Sequence, residues 1–234
     1  MAQHRLQRLA SPAPSFSLLL HLLGIASFGR SFYFLTTWET PFTHAYGWHF
    51  QFLTIIGLGA ALVSFALGAL ADMTRSPAFF QAKNAVSVLA TPLEAVISVL
   101  YWGIRAIDPD LLIQEGFDLP LLEDVGFHLA PVVFLTLDHV LLSPPWTMPA
   151  YGTMALSTVL AFGYWYWVEL CFTKNGWYPY PLFALLSTLQ RVLLFVFSAA
   201  LVTVSSGLLK RIYASINGYD EARREPHKPL KKVE

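Results

Sequence analysis

The sequence predicts an all-α fold: a polytopic membrane bundle of about six transmembrane helices, both termini cytosolic. Three observations predict it. Of the 234 residues 55% are hydrophobic and 13% charged, about half the charged share of a soluble globular domain. Mean hydropathy is +0.51. Apolar runs near the ~20 residues that cross a hydrocarbon core recur along the chain.

The elements follow in order. Residues 1–14 form a short cytosolic arm with Arg5, Arg8 and two prolines. The run Phe16–Trp38 is too long for a signal peptide and contains Arg30, so it is the first helix. Thr40 to Gly47 turn the chain. The second helix, Trp48–Leu70, has Ser64 as its one polar interruption after Thr54. Asp72 to Asn84, with Arg75, Pro77 and Lys83, reads as a polar loop. The third helix is Ala85–Ile107, carrying Pro92 and Glu94. An acidic loop with Asp108, Asp110, Glu115, Asp118, Glu123 and Asp124 follows. The fourth helix, Val125–Leu142, is short and holds His128, Pro131, Asp138 and His139. Pro144, Pro145 and Pro149 mark the next turn. The fifth helix is Ala150–Phe172, the run Lys174–Pro181 is an aromatic turn, and the sixth helix is Leu185–Tyr213. The division is therefore an arm (1–14), a six-helix transmembrane domain (15–213) and a basic cytosolic tail (214–234).

Basic residues set the orientation. Arg5, Arg8, Arg75, Lys83, Lys210, Arg211, Arg223, Arg224, Lys228, Lys231 and Lys232 fall on one side, which the positive-inside rule makes cytosolic. Lys231 and Lys232 near the C-terminus have the form of a dilysine retrieval signal for the endoplasmic reticulum. A basic tail that only obeys the orientation rule, with the plasma membrane as destination, is the alternative. Net charge is zero, so no nucleic-acid footprint is visible. Cys171 is the sole cysteine, which excludes internal disulfides and cysteine-cluster metal sites.

This topology brings Thr54 and His128 to one depth, roughly 6 Å inside the non-cytosolic interface at 1.5 Å per residue. Trp38, Trp48, Trp102, Trp165, Trp167 and Trp177 form an aromatic belt on that side. Intramembrane ionisable groups point to function, and a histidine acts as a base at neutral pH. A threonine hydroxyl is a poor nucleophile unless a base within about 3 Å takes its proton during attack. Taken alone, Thr54 reads as a hydroxyl back-bonded to Gln51 or Phe50, and His128 as a satisfied structural histidine. Arg30, Arg105 and Arg191 near the same layer are candidates to hold a substrate carboxylate or to anchor helices to headgroups. Glu169 is a candidate to orient His128. His44 and His49 read as interfacial residues, Asp138 and His139 as a hydrogen-bonded structural pair, and Glu94 as helix-packing glue. No P-loop, G-x-S-x-G elbow or zincin motif is present.

At Phe52-Leu53-Thr54, Gly126-Phe127-His128 and Trp177-Tyr178-Pro179 the chain resembles the androgen-induced-gene family of multipass membrane proteins, in helix order and spacing over nearly its whole length. The resemblance implies a threonine hydrolase that cleaves fatty acid esters of hydroxy fatty acids, with Thr54 as nucleophile and His128 as base. It implies no cofactor and no metal, and as partners the bilayer and a fatty-acyl ester substrate. Gln51 stands where animal members carry a basic residue, and the basic tail is long. Both mark a diverged, fungal-type member. The competing expectation is a non-catalytic membrane protein for lipid binding, transport or assembly, in which the same polar layer lines a cavity.

Overall fold

The computed structural model describes residues 13–112, 117 and 119–217. Six helical spans in it are long and apolar enough to cross a membrane. They are α1 (Pro14–Thr37), α2 (Leu53–Thr74), α3 (Pro77–Ile107), the pair α4 (Leu121–His128) and α5 (Ala130–Leu142), α6 (Ala150–Asn175) and, after the short α7 (Pro181–Leu185), α8 (Thr188–Asn217). The all-α fold with six spans holds, with bounds that shift for identifiable reasons.

α2 starts at Leu53, not Trp48. Trp48–Gln51 form a separate 3-10 turn, entered through Gly47 at φ 87°. A Cβ on Gly47 would meet Cys171 Sγ at 2.8 Å, so both conformation and space require glycine there. The polar loop expected at Asp72–Asn84 shrinks to Arg75 and Ser76. Arg75 takes the left-handed conformation at φ 55°, and Pro77 opens α3 at its first position, where a missing N–H costs nothing. α3 therefore starts eight residues before the expected Ala85. Glu123 and Asp124 leave the acidic loop and become buried first-turn residues of α4, favoured by the positive end of the helix dipole. The fourth span breaks at Leu129 because Pro131 cannot donate to the preceding turn. α8 extends to Asn217, past the expected start of the tail. Arg5, Arg8, Glu115, Asp118, Arg223, Arg224, Lys228, Lys231 and Lys232 lie outside the described residues.

Two apolar cores hold the bundle. α1, α2, α3, α4 and α5 share one around Phe28, Leu58, Phe65, Phe127 and Leu135. α6, α7 and α8 share the other, around Tyr164, Val168, Phe183 and Phe195. Two clusters of buried, interacting polar residues lie at opposite ends of the bundle. At one, His21 contacts Asp72 at 2.8 Å and Asp138 at 3.1 Å, while Lys83 reaches Asp138 at 2.8 Å and Ser143 at 2.8 Å. Asp138 thus pairs with Lys83 and His21, correcting the expected bond to His139. The His139 ring instead stacks on Trp146 and Tyr213 at 3.8 and 5.0 Å. The other end carries Thr54 and His128.

Candidate active site

Thr54 sits in the first turn of α2, buried at 7% exposure. Phe52 caps this helix with no side-chain hydrogen bond, so the amino end takes its partners from elsewhere in the fold. The Leu53 N–H donates to the Tyr180 hydroxyl at 3.2 Å. The upstream carbonyls that would accept a back-bond from Thr54 are engaged by α6. Trp167 Nε1 donates to Phe50 O at 3.0 Å, and the Tyr164 hydroxyl donates to Gln51 O at 2.9 Å. The threonine is thereby presented at a helix start rather than one turn inside a continuous helix.

His128 ends α4, just before the break. Its ring lies flat on Tyr101, centroids 3.4 Å apart and planes within 2°. Nδ1 bonds Asp124 Oδ1 at 2.9 Å, one helical turn upstream. Asp124 in turn is ion-paired with Arg105, whose Nη1 also donates to the Tyr101 hydroxyl at 2.7 Å. Guanidinium, carboxylate and imidazole form a chain that fixes ring orientation and leaves Nε2 for other use.

Two cavities meet at Thr54. One, about 560 Å³ and almost wholly apolar, runs between α3, α6 and α8, within the size range of small-molecule sites. The second is about 80 Å³, and its walls include His49, Thr54, Tyr101, His128 and Tyr180. Thr54, Tyr101, Leu112 and Tyr180 border both. Among the described residues no three His, Cys, Asp or Glu side chains gather as a metal site.

His49, expected as an interfacial residue, is enclosed by the protein. It is 1% exposed, stacked on Trp38 at 6.1 Å and edge-on to Trp48 at 4.8 Å. Burial lowers its pKa from 6.5 to about 4, so the ring is neutral at physiological pH. Burial pushes the Tyr180 phenol up, opposed by hydrogen bonding with the Thr54 side chain and the Leu53 and Thr54 backbone. That phenol is protonated at neutral pH and lies against the Thr54 hydroxyl.

The remaining candidates fall elsewhere. Glu169 does not orient His128: its oxygens bond Trp165 Nε1 and the Tyr178 hydroxyl, both at 2.9 Å, and Arg191 at 2.8 Å. Arg30 pairs with Glu123 at 2.6 Å, so all three arginines have acidic partners. Sequence reading missed Asp124, Tyr101 and Tyr180. Asp124 was findable, since it stands four residues before His128 and that spacing puts both on one helix face.

The profile of the FAR-17a/AIG1-like protein family matches residues 16–214. The chain belongs to this family. It is 29% identical over 200 residues to a UPF0641 membrane protein of Schizosaccharomyces pombe, covering 84% of this chain and 90% of that one. A UPF0641 membrane protein of Saccharomyces cerevisiae is 25% identical over 153 residues, 57% of this chain and 64% of the relative. These are yeast proteins, in keeping with the expectation of a diverged, fungal-type member. No solved structure matches.

Proposed function

We propose that this protein is an integral-membrane lipid esterase of the endoplasmic reticulum that hydrolyses fatty acid esters of hydroxy fatty acids. Thr54 is the nucleophile and His128 the general base. The observation that carries the reading is the shared cavity: Thr54 and His128, from different helices, wall the same small space. His128 is held through Nδ1 by Asp124, so Nε2 is the nitrogen that exchanges the proton. The apolar cavity beside Thr54 takes the acyl chain. The small one has the volume and polar neighbours to hold hydrolytic water.

In this reading Thr54 Oγ attacks the ester carbonyl as His128 takes its proton. The hydroxy fatty acid leaves with that proton, and water activated by His128 releases the acyl chain from Thr54. The substrate class is carried over from the family resemblance. The test is purified full-length protein in detergent, assayed for fatty acid release and for labelling by a serine/threonine-hydrolase probe. Release and labelling in the wild type, both lost in Thr54→Ala, support the enzyme. Lipid binding with neither release nor labelling would favour a carrier that uses the apolar cavity without chemistry.

A further inference from the structure

Attack on an ester places negative charge on the carbonyl oxygen, and a site of this kind needs a donor for it. Thr54, His128 and Asp124 supply none. We infer that the Tyr180 phenol, seated at the amino end of α2, donates the hydrogen bond that stabilises this oxyanion, which makes Tyr180 a catalytic residue. The inference rests on the hydrolase reading above.

Three phenols surround the site, and their protons are committed differently. Tyr164 donates to Gln51 O at 2.9 Å. Tyr101 is engaged by Arg105 at 2.7 Å and by Asp124. Tyr180 accepts the Leu53 N–H at 3.2 Å, which uses a lone pair, and its hydroxyl also meets that of Tyr164, so its proton has only neutral hydroxyl partners and can turn to the stronger acceptor an oxyanion provides. Its hydroxyl also lies against the Thr54 side chain. A donor within hydrogen-bond reach of Oγ is within reach of the oxygen on the carbon that Oγ attacks. The positive end of α2 points the same way.

The phenol is also rigid. Tyr180 stands between Pro179 and Pro181, with extended backbone at φ −109°, ψ 124°, as a following proline favours. Its ring is edge-on to Phe52 at 5.4 Å and to Phe183 at 5.6 Å. A donor held this way needs no reorganisation as charge develops.

The electron balance is simple. The Thr54 Oγ–carbon bond forms, the Oγ proton passes to His128, and the carbonyl π pair moves onto oxygen. That oxygen accepts a hydrogen bond from Tyr180 with no proton transferred. When the pair returns, the bond to the alcohol oxygen breaks and the alcohol takes the proton from His128. Water then repeats the sequence on the acyl-threonine and restores Thr54.

The experiment compares wild type, Thr54→Ala and Tyr180→Phe as full-length proteins in detergent. It uses a fatty acid ester of a hydroxy fatty acid and a long-chain trifluoromethyl ketone, which forms a tetrahedral adduct with the nucleophile. Tyr180→Phe keeps the ring contacts and is expected to lower kcat by about 10²–10³-fold, with KM within about twofold. Ketone affinity falls by a comparable factor. Unchanged kcat and ketone affinity in Tyr180→Phe, with Thr54→Ala inactive, overturn this inference and leave the hydrolase standing. Wild type no more active than Thr54→Ala overturns both. A difluorotyrosine at position 180 keeps the protein's size and shape if the phenylalanine variant does not fold. Its more acidic phenol moves the basic limb of the kcat–pH profile down if Tyr180 donates, whereas an unmoved limb rejects the role.

Discussion

The two polar ends of the bundle are built from similar residues and finished differently. At the His21 end, both imidazole nitrogens are taken by Asp72 and Asp138. Lys83 is spent on Asp138 and Ser143, and Ser143 also bonds back to Asp138. Gly68 lets α2 approach so closely that a Cβ there would meet the His21 ring at 2.4 Å. At the Thr54 end, one imidazole nitrogen is fixed by Asp124, and the threonine, imidazole and phenol border hollow space. Buried ionisable groups in a membrane bundle can thus be paired with one another, as His21, Lys83 and Asp138 are, or left facing hollow space, as His128 is. The first ties helices together. The second is where chemistry has room.

The largest effect expected of this contrast is on rate. Thr54→Ala should lower ester hydrolysis by about 10⁴-fold or more, and His128→Ala by about 10²–10⁴-fold. Thr54→Ala should not move the unfolding midpoint by more than a few degrees, since that side chain borders both cavities. Steady-state kinetics beside thermal unfolding in one detergent gives the answer. An inactive variant that is also unfolded would erase the distinction between the two ends.

The opposite pattern is expected at the closed end. Asp138→Ala strands Lys83, at 1% exposure, without its carboxylate. Breaking such a buried pair costs about 3–5 kcal/mol, enough to empty much of the folded population of a marginally stable domain. Yield and unfolding midpoint should drop sharply, while turnover per folded molecule stays near wild type. Loss of turnover in well-folded Asp138→Ala would show that the two ends are coupled.

How far the sequence reveals each end follows the same divide. Six spans were legible because length and hydropathy are local properties, and the nearness of Thr54 to His128 because alternating helices place them at one depth. Lys83 was misread as a loop cation. Its reason for lying inside α3 is Asp138, a partner fifty-five residues away, and a pairing across helices leaves no periodic trace. Asp124 went into the acidic loop for want of the same information, its Arg105 being nineteen residues upstream. As a polar residue at a membrane edge His49 reads as interfacial, and only the fold shows that Phe42 and Trp48 enclose its ring. Tyr180 looked like one aromatic among many until the start of α2 was set against it.

A smaller effect sharpens the role of the carboxylate. In the proposed mechanism Asp124 reaches the substrate only through His128, as a positioning residue, and Asp124→Asn should then lower kcat by about 10²-fold or more with little change in KM. Arg105 loses its ionised partner in the same variant, so the unfolding midpoint must be recorded alongside. The informative readout is the pH profile: the acid limb of kcat should move down as His128 loses its neighbouring negative charge. A variant with an unmoved acid limb would indicate that Asp124 holds the fold of α4 and does not act on the base.

The smallest effect separates the two histidines that share the small cavity. His49 has a pKa of about 4 in the folded protein against an ordinary 6.5. Between those values the unfolded chain binds a proton that the folded one refuses, so stability falls as pH drops from about 6.5 towards 4. At about 1.4 kcal/mol per pH unit the loss is at most about 3 kcal/mol. His49→Leu removes this proton site and should retain more of its pH 7 stability at pH 4.5 than wild type does. The acid limb of its activity should stay where His128 puts it, because the buried His49 ring is neutral throughout the working range. If His49→Leu moves that limb while leaving the pH dependence of stability unchanged, the assignment of His128 as the titrating base is the one to abandon.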